Sequence, residues 1–184
     1  MKSNMRCAHA ARQLACIATL LLLGACSQAV QRGLAQEPGA DTACALDGMV
    51  LQDFPGPKAQ IQYAEGKPDF FCDLTELFAV LLAPEQKRQV AGLFVQDMGK
   101  ADWAHPQGHW IAARTALYVV GSGKAGSMGP TFGSFSNTLD AAAFVKKEGG
   151  KILPFDQITS AMVTMRGAAR HGMSMPRQGA ADGS

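Results

Sequence analysis

The chain lacks the compact signatures by which common enzyme classes are recognised. It has no HExxH motif, no Ser-centred nucleophile elbow and no phosphate-binding glycine loop. Gly121-Ser122-Gly123-Lys124 imitates such a loop but has neither its spacing nor the Ser or Thr after the lysine. No CxxC pair occurs, which argues against a thioredoxin-like oxidoreductase. Charge is sparse, at 17% of residues, and nearly balanced, with 17 basic against 15 acidic side chains. Three of the cations, Lys2, Arg6 and Arg12, precede the apolar run Leu14 to Leu23. Without them 14 basic groups face 15 acidic ones, a net charge of −1, and no nucleic-acid partner follows from composition. Long apolar runs are missing too, because Leu14 to Leu23 is shorter than the roughly 20 residues of a membrane span.

That same run, behind its cations, has the form of a secretory signal. Leu23-Gly24-Ala25-Cys26 closes it and resembles the bacterial lipobox. The expectation is cleavage of residues 1–25 and lipidation of Cys26 on its sulfur and new amino group. Several acyl chains anchor stably where one gives only marginal membrane binding. Cys7 and Cys16 would leave with the signal. With Cys26 lipidated, Cys44 and Cys72 would be the cysteines left in the exported protein.

Residues 26–40 are small, polar and Gly/Pro-containing, and read as a flexible tether. Residues 165–184 lack apolar periodicity and read as a flexible tail. Between them one order of elements occurs twice. In residues 41–113, Met49–Leu51 and Ala59–Tyr63 read as strands around the turn-rich Asp53-Phe54-Pro55-Gly56-Pro57. A helix follows from Asp73 to Leu82, with Asp73 and Glu76 as its start signal, and then a strand from Val90 to Val95. In residues 114–164, strands are expected at Thr115–Val120 and Thr131–Phe135. A helix from Leu139 to Lys147 would be capped by Asn137, with Leu139, Ala142, Ala143 and Phe144 turned inward. Gly149-Gly150 ends it before a strand at Lys151–Phe155. The fold class is therefore α+β, as two tandem ββαβ units packed together.

Soft sulfur donors are the chemistry that stands out. Thiolates and thioethers select Cu(I), whereas carboxylates suit harder ions. Cys44-Ala-Leu-Asp-Gly-Met49 carries one of each, and Met128 lies in the glycine-rich loop Gly126 to Pro130, where little core is available for it. Met49 reads equally as core packing. Cys72 reads as a buried small hydrophobe, a thiol acidified by a helix N-terminus, or a disulfide partner for Cys44. Asp47 reads as a turn residue before Gly48. His105 and His109 flank a Trp-bordered loop without a third ligand at fixed spacing. His171, Met173 and Met175 in the tail are lesser candidates for capturing or passing on Cu(I), beside a reading as incidental residues.

Taken together, Cys44 to Met49, Asp53 to Ile61, Phe70-Phe71-Cys72, Met128-Gly129-Pro130 and Gly149 to Phe155 resemble the NosL family of copper lipoproteins. The resemblance runs from Cys44 to about Ile158. It implies a periplasmic lipoprotein anchored to the outer membrane that delivers Cu(I) for the copper-sulfide centre of nitrous oxide reductase. A membrane ABC-type maturation complex is the further partner it implies. The family's paired ββαβ fold is likened to organomercurial lyase. The implied metal ligands are Cys44 and Met128, with Met49 nearby. Asp47 stands where many relatives carry a second cysteine, which leaves one thiolate in this motif. Two other classes remain beside this non-enzymatic reading: a structural lipoprotein stapled by Cys44–Cys72, and a thiol-reactive protein of the organomercurial-lyase kind.

Overall fold

The computed structural model describes residues 33–83, 85 and 88–163. Cys26 and the whole of the expected tail, with His171, Met173 and Met175, lie outside these residues. No helix among the described residues is long and apolar enough to cross a membrane.

The first half is a mixed unit of strands β1 (Ala59–Tyr63), β2 (Asp69–Phe71) and β3 (Val90–Gln96), with helix α1 (Leu74–Leu81) between β2 and β3. A short strand β4 (Trp110–Ala112) completes its antiparallel sheet in the order β2-β1-β3-β4. The second half has β5 (Leu117–Val120), a small hairpin of β6 (Ala125–Gly126) and β7 (Gly129–Pro130), β8 (Gly133–Phe135), helix α2 (Thr138–Glu148) and β9 (Lys151–Pro154). Its sheet runs β8-β5-β9. Each half thus has the same pattern: second strand, first strand, third strand, and a helix before the third. The expected duplication of ββαβ units is present.

Its first copy is assembled from different strands than expected. Met49–Leu51 is no strand. Val50 makes one antiparallel bridge to Ala43, and Leu51–Asp53 closes a 3-10 turn. The true second strand is β2, which pairs Phe71 with Ala59. The Trp-bordered loop ends in β4, whose Ile111 pairs with Val95. Part of the expected tether also lies on this sheet. Gln36 N donates to Gln60 Oε1 at 2.8 Å, and Glu37 accepts from Gly108 N at 3.0 Å and from Trp110 Nε1 at 2.7 Å. Strand β1 is consequently buried along its whole length. Its Ala59, Ile61 and Tyr63 enter the core, while Gln62 Nε2 donates to Gln60 Oε1 at 2.6 Å and Gln60 Nε2 to Gln36 O at 2.8 Å.

The two helices are capped as their sequences indicate. Asp73 accepts from Thr75 N at 2.8 Å and Asn137 from Asp140 N at 2.9 Å, filling donors that a helix leaves unpaired. Gly149 ends α2 at φ 74°, a conformation glycine adopts without strain. Of the residues expected inward on α2, Phe144 is and the other three are not. Ala141, Phe144 and Val145 pack on the sheet, whereas Leu139, Ala142 and Ala143 are exposed, Leu139 to 82%. Helix α1 buries Leu74, Leu77 and Phe78. The Phe78 ring meets Tyr118, Phe132 and Phe155 of the second half at 5.1, 5.9 and 5.4 Å. A helix of one unit is thereby seated in the aromatic core of the other, and one main cluster spans both.

Candidate metal centre

Three segments of the first unit bring their reactive side chains together beside the second. The Cys44–Met49 loop is a closed turn: Cys44 N donates to Met49 O at 2.8 Å and Gly48 N to Cys44 O at 3.0 Å. Asp47 Oδ1 accepts from Met49 N at 3.0 Å, the turn role expected of it. Ala45 N donates to Phe70 O at 2.8 Å, which ties this loop to β2 and lays Cys44 over Cys72. Cys72 ends that strand segment and is 0% exposed; Cys44 is 4% exposed. Both are free thiols. The expected alternative of a Cys44–Cys72 staple is therefore not formed.

What the thiols share is a carboxyl group. Glu76 Oε2 lies 3.2 Å from Cys44 Sγ and 3.3 Å from Cys72 Sγ. With Asp47, the donor atoms of these residues all lie within 4.8 Å of one another. Glu76 was expected only as part of a helix start. Asp73 serves as the cap by itself, freeing Glu76 to turn toward the sulfurs. The missed signal was spacing: Cys72 and Glu76 are four residues apart at a helix entrance, which places them on one side. The Cys72 thiol facing Cys44 draws its pKa down to about 6, against the effect of burial, and nearby backbone N–H groups of Leu46 and Asp47 assist. Burial, and then Cys44, push Glu76 up to about 8. The contact with Cys44, together with burial, drives Cys72 upward. The shifts favour the thiolate at Cys44 and the protonated forms of Cys72 and Glu76 beside it.

A buried cation underlies the cluster. Lys58 Nζ donates to Phe54 O at 2.8 Å, Pro55 O at 3.2 Å and Cys72 O at 3.2 Å. Burial lowers its pKa to about 8, while the fields of Cys72, Asp73, Glu76 and Cys44 act the other way. This explains the chemistry of the Phe54-Pro55-Gly56-Pro57-Lys58 segment: the turn carbonyls and the Cys72 carbonyl share one ammonium group.

Met128 is not in a free loop. It occupies the two-residue tip of the β6–β7 hairpin, where Gly126 pairs with Gly129, and it is half-buried. The hairpin approaches the thiols through its other tip residue. Ser127 Oγ is buried without completing a hydrogen bond, yet it faces Cys72 closely enough to favour that residue's thiolate. Met49 is half-buried against the main core, the packing role expected as one of its two readings. His105 and His109 are exposed and do not join the cluster.

The chemistry of this constellation, soft thiols and a nearby thioether on a duplicated unit, can be set beside known proteins. The NosL family model matches residues 35–163. The chain belongs to the NosL family. It is 42% identical over 153 residues to the copper-binding lipoprotein NosL of Achromobacter cycloclastes, covering 79% of each chain. It is 38% identical over 130 residues to the copper-binding lipoprotein NosL of Stutzerimonas stutzeri, covering 70% of this chain and 68% of that one. The crystal structure of the copper chaperone NosL from Shewanella denitrificans superposes with a TM-score of 0.67 at 44% identity, over 70% of this chain and 98% of that one. The α+β fold described above is thus the fold of a solved NosL.

Proposed function

We propose that this NosL-family chain is a lipid-anchored periplasmic Cu(I) chaperone. It binds copper through Cys44 and Met128 and delivers it for the copper-sulfide centre of nitrous oxide reductase. The reading is supported by the approach of the second unit's hairpin tip to the first unit's thiols, where Ser127, next to Met128 in the chain, faces Cys72. Cys44 in thiolate form is the primary soft donor, since the thiolate and not the thiol is the metal ligand. Cys72 is the adjoining thiol, and Met49 is the weakest donor of the group because its side chain is committed to packing. No group-transfer step is assigned; the chain binds and releases its cargo. Cys26 would carry the lipid that holds it at the outer membrane. The recipients would be nitrous oxide reductase and its membrane ABC-type maturation complex. His171, Met173 and Met175 in the tail offer an exchange route for the ion.

The test is a Cu(I) titration of reduced protein in competition with a chromogenic chelator. Cys44→Ser and Met128→Leu should each weaken binding by tenfold or more, on the order of the effect of losing one ligand-shell interaction. Unchanged affinity in both variants would sink the assigned site. A strain lacking the chain should contain nitrous oxide reductase deficient in its copper-sulfide centre.

A further inference from the structure

Asp73 is neither a thiol nor part of the hairpin, yet it bonds to the segments that carry both. Its Oδ1 caps α1 by accepting from Thr75 N at 2.8 Å and Thr75 Oγ1 at 2.7 Å. The same oxygen accepts from Thr131 Oγ1 at 2.7 Å, across 58 residues of sequence. Thr131 directly follows β7, and Asp73 directly follows Cys72. One oxygen therefore joins the segment bearing Cys72 and Glu76 to the hairpin bearing Met128.

Helix capping alone does not account for this residue. A cap needs a single acceptor oxygen and works at the surface, whereas Asp73 is 1% exposed and its Oδ2 has no hydrogen-bond partner. That oxygen lies against Gly126, where a Cβ would collide with it and crowd Thr131. Glycine at 126 is what lets the hairpin come down onto the carboxylate. Trp103 holds this same strand, its Nε1 donating to Ala125 O at 3.0 Å, while Thr131 follows the opposite strand, β7. The hairpin is thus fastened on both strands, by Trp103 on one and by Asp73 on the other.

We propose that Asp73, acting through Thr131 and the close approach at Gly126, is a positioning residue that sets the distance of Met128 from Cys44 and Cys72. The proposal rests on the copper reading above. Metal–ligand distances tolerate deviations of only about 0.2 Å, so a small pivot of the hairpin about Trp103 removes the thioether from bonding range.

Thr131→Val deletes the hydroxyl while keeping the shape, and Thr131→Ser restores it. Cu(I) affinity by chelator competition and the number of Cu–S neighbours by X-ray absorption are the readouts, beside the melting temperature of metal-free protein. Thr131→Val should weaken Cu(I) binding about tenfold and remove one sulfur neighbour. Thr131→Ser should bind like wild type. In a Met128→Leu background Thr131→Val should have no further effect, the mark of two residues acting on one interaction. Gly126→Ala should reproduce the loss and its dependence on Met128, which keeps the proposal testable if Thr131→Val folds poorly. An equal loss in both backgrounds, an indifferent Thr131→Val in a protein that binds Cu(I), or an indifferent Met128→Leu each overturns the positioning role alone. A wild-type protein that binds no Cu(I), or an unaffected Cys44→Ser, overturns the copper reading and this role with it.

Discussion

Glu76 is where the chemistry of single side chains is most exposed to test. Its carboxyl titrates at about 8 in the folded protein, against about 4.5 when solvated, because burial and the contact with Cys44 favour the neutral form. Between those values the folded state holds a proton that the unfolded state has released. Its contribution to stability is fully present below about pH 4.5 and is lost as pH rises through about 8. Cys44 has the opposite sign: its contribution is present above about 9 and lost as pH falls through about 6. Glu76→Gln removes the first effect and leaves the second. Melting curves of metal-free protein should therefore show wild type losing ground to Glu76→Gln between pH 5 and pH 8. A constant difference across that range would mean that Glu76 carries no shifted proton. Cys44 was legible in the sequence because it stood outside any apolar run. Glu76 was not, since a glutamate three residues after an aspartate is equally the signature of a helix start. Which of the two caps the helix depends on Cys44, 32 residues away in sequence, as well as on the adjoining Cys72.

Among the elements, capping was readable and burial was not. Asn137 and Gly149 bracket α2 as their chemistry requires, because caps depend on the local backbone alone. Asn137→Ala should cost about 1 kcal/mol in urea denaturation, and it should leave Cu(I) affinity untouched, since α2 has no part in the thiol cluster. The buried face of α2 was read correctly at Phe144 and misread at Leu139, Ala142 and Ala143, because apolar residues occupy both sides and Ala141 and Val145 share the side of Phe144. Periodicity offers no choice there; the sheet takes the side with the Phe144 ring, which stacks on Trp103 at 5.3 Å. Met49–Leu51 failed as a strand for a related reason. Three apolar residues in a row suit a strand, but Cys44 N takes the Met49 carbonyl and Leu51 N takes Thr42 O, closing a local turn. The strand order of both sheets, by contrast, follows from the repeated ββαβ pattern once β2 is substituted.

The two units behave as one body because they share a core. Phe78 leaves α1 of the first unit and ends among Tyr118, Phe132 and Phe155 of the second. Phe78→Ala should destabilise the protein by about 3–5 kcal/mol. It should do so in a single transition, with circular dichroism and tryptophan fluorescence coincident. Trp110 opens β4 of the first unit and Trp103 stacks on Phe144 of the second, so their emission reports both units. Separate transitions would show that the halves fold independently. Beyond the aromatic contacts, Met98 N donates to Ser134 O at 2.8 Å and Ser136 N to Asp97 Oδ1 at 3.1 Å, binding the end of β3 to β8. The burial of the sulfurs has a consequence for rates. Cys72 is closed from solvent, Cys44 nearly so, and Asp47 is the exposed member of the cluster. On the copper reading proposed above, a small chelator in solution would reach the ion only when the residues that bury the sulfurs move aside. Copper withdrawal followed by stopped flow should therefore reach a plateau as chelator concentration rises, the plateau being the opening rate. A rate that climbs in proportion to chelator would show the sulfurs to be directly reachable. Under such a plateau the ion is secure against bystanders at any concentration, and a recipient gains by speeding the opening rather than by binding copper more tightly.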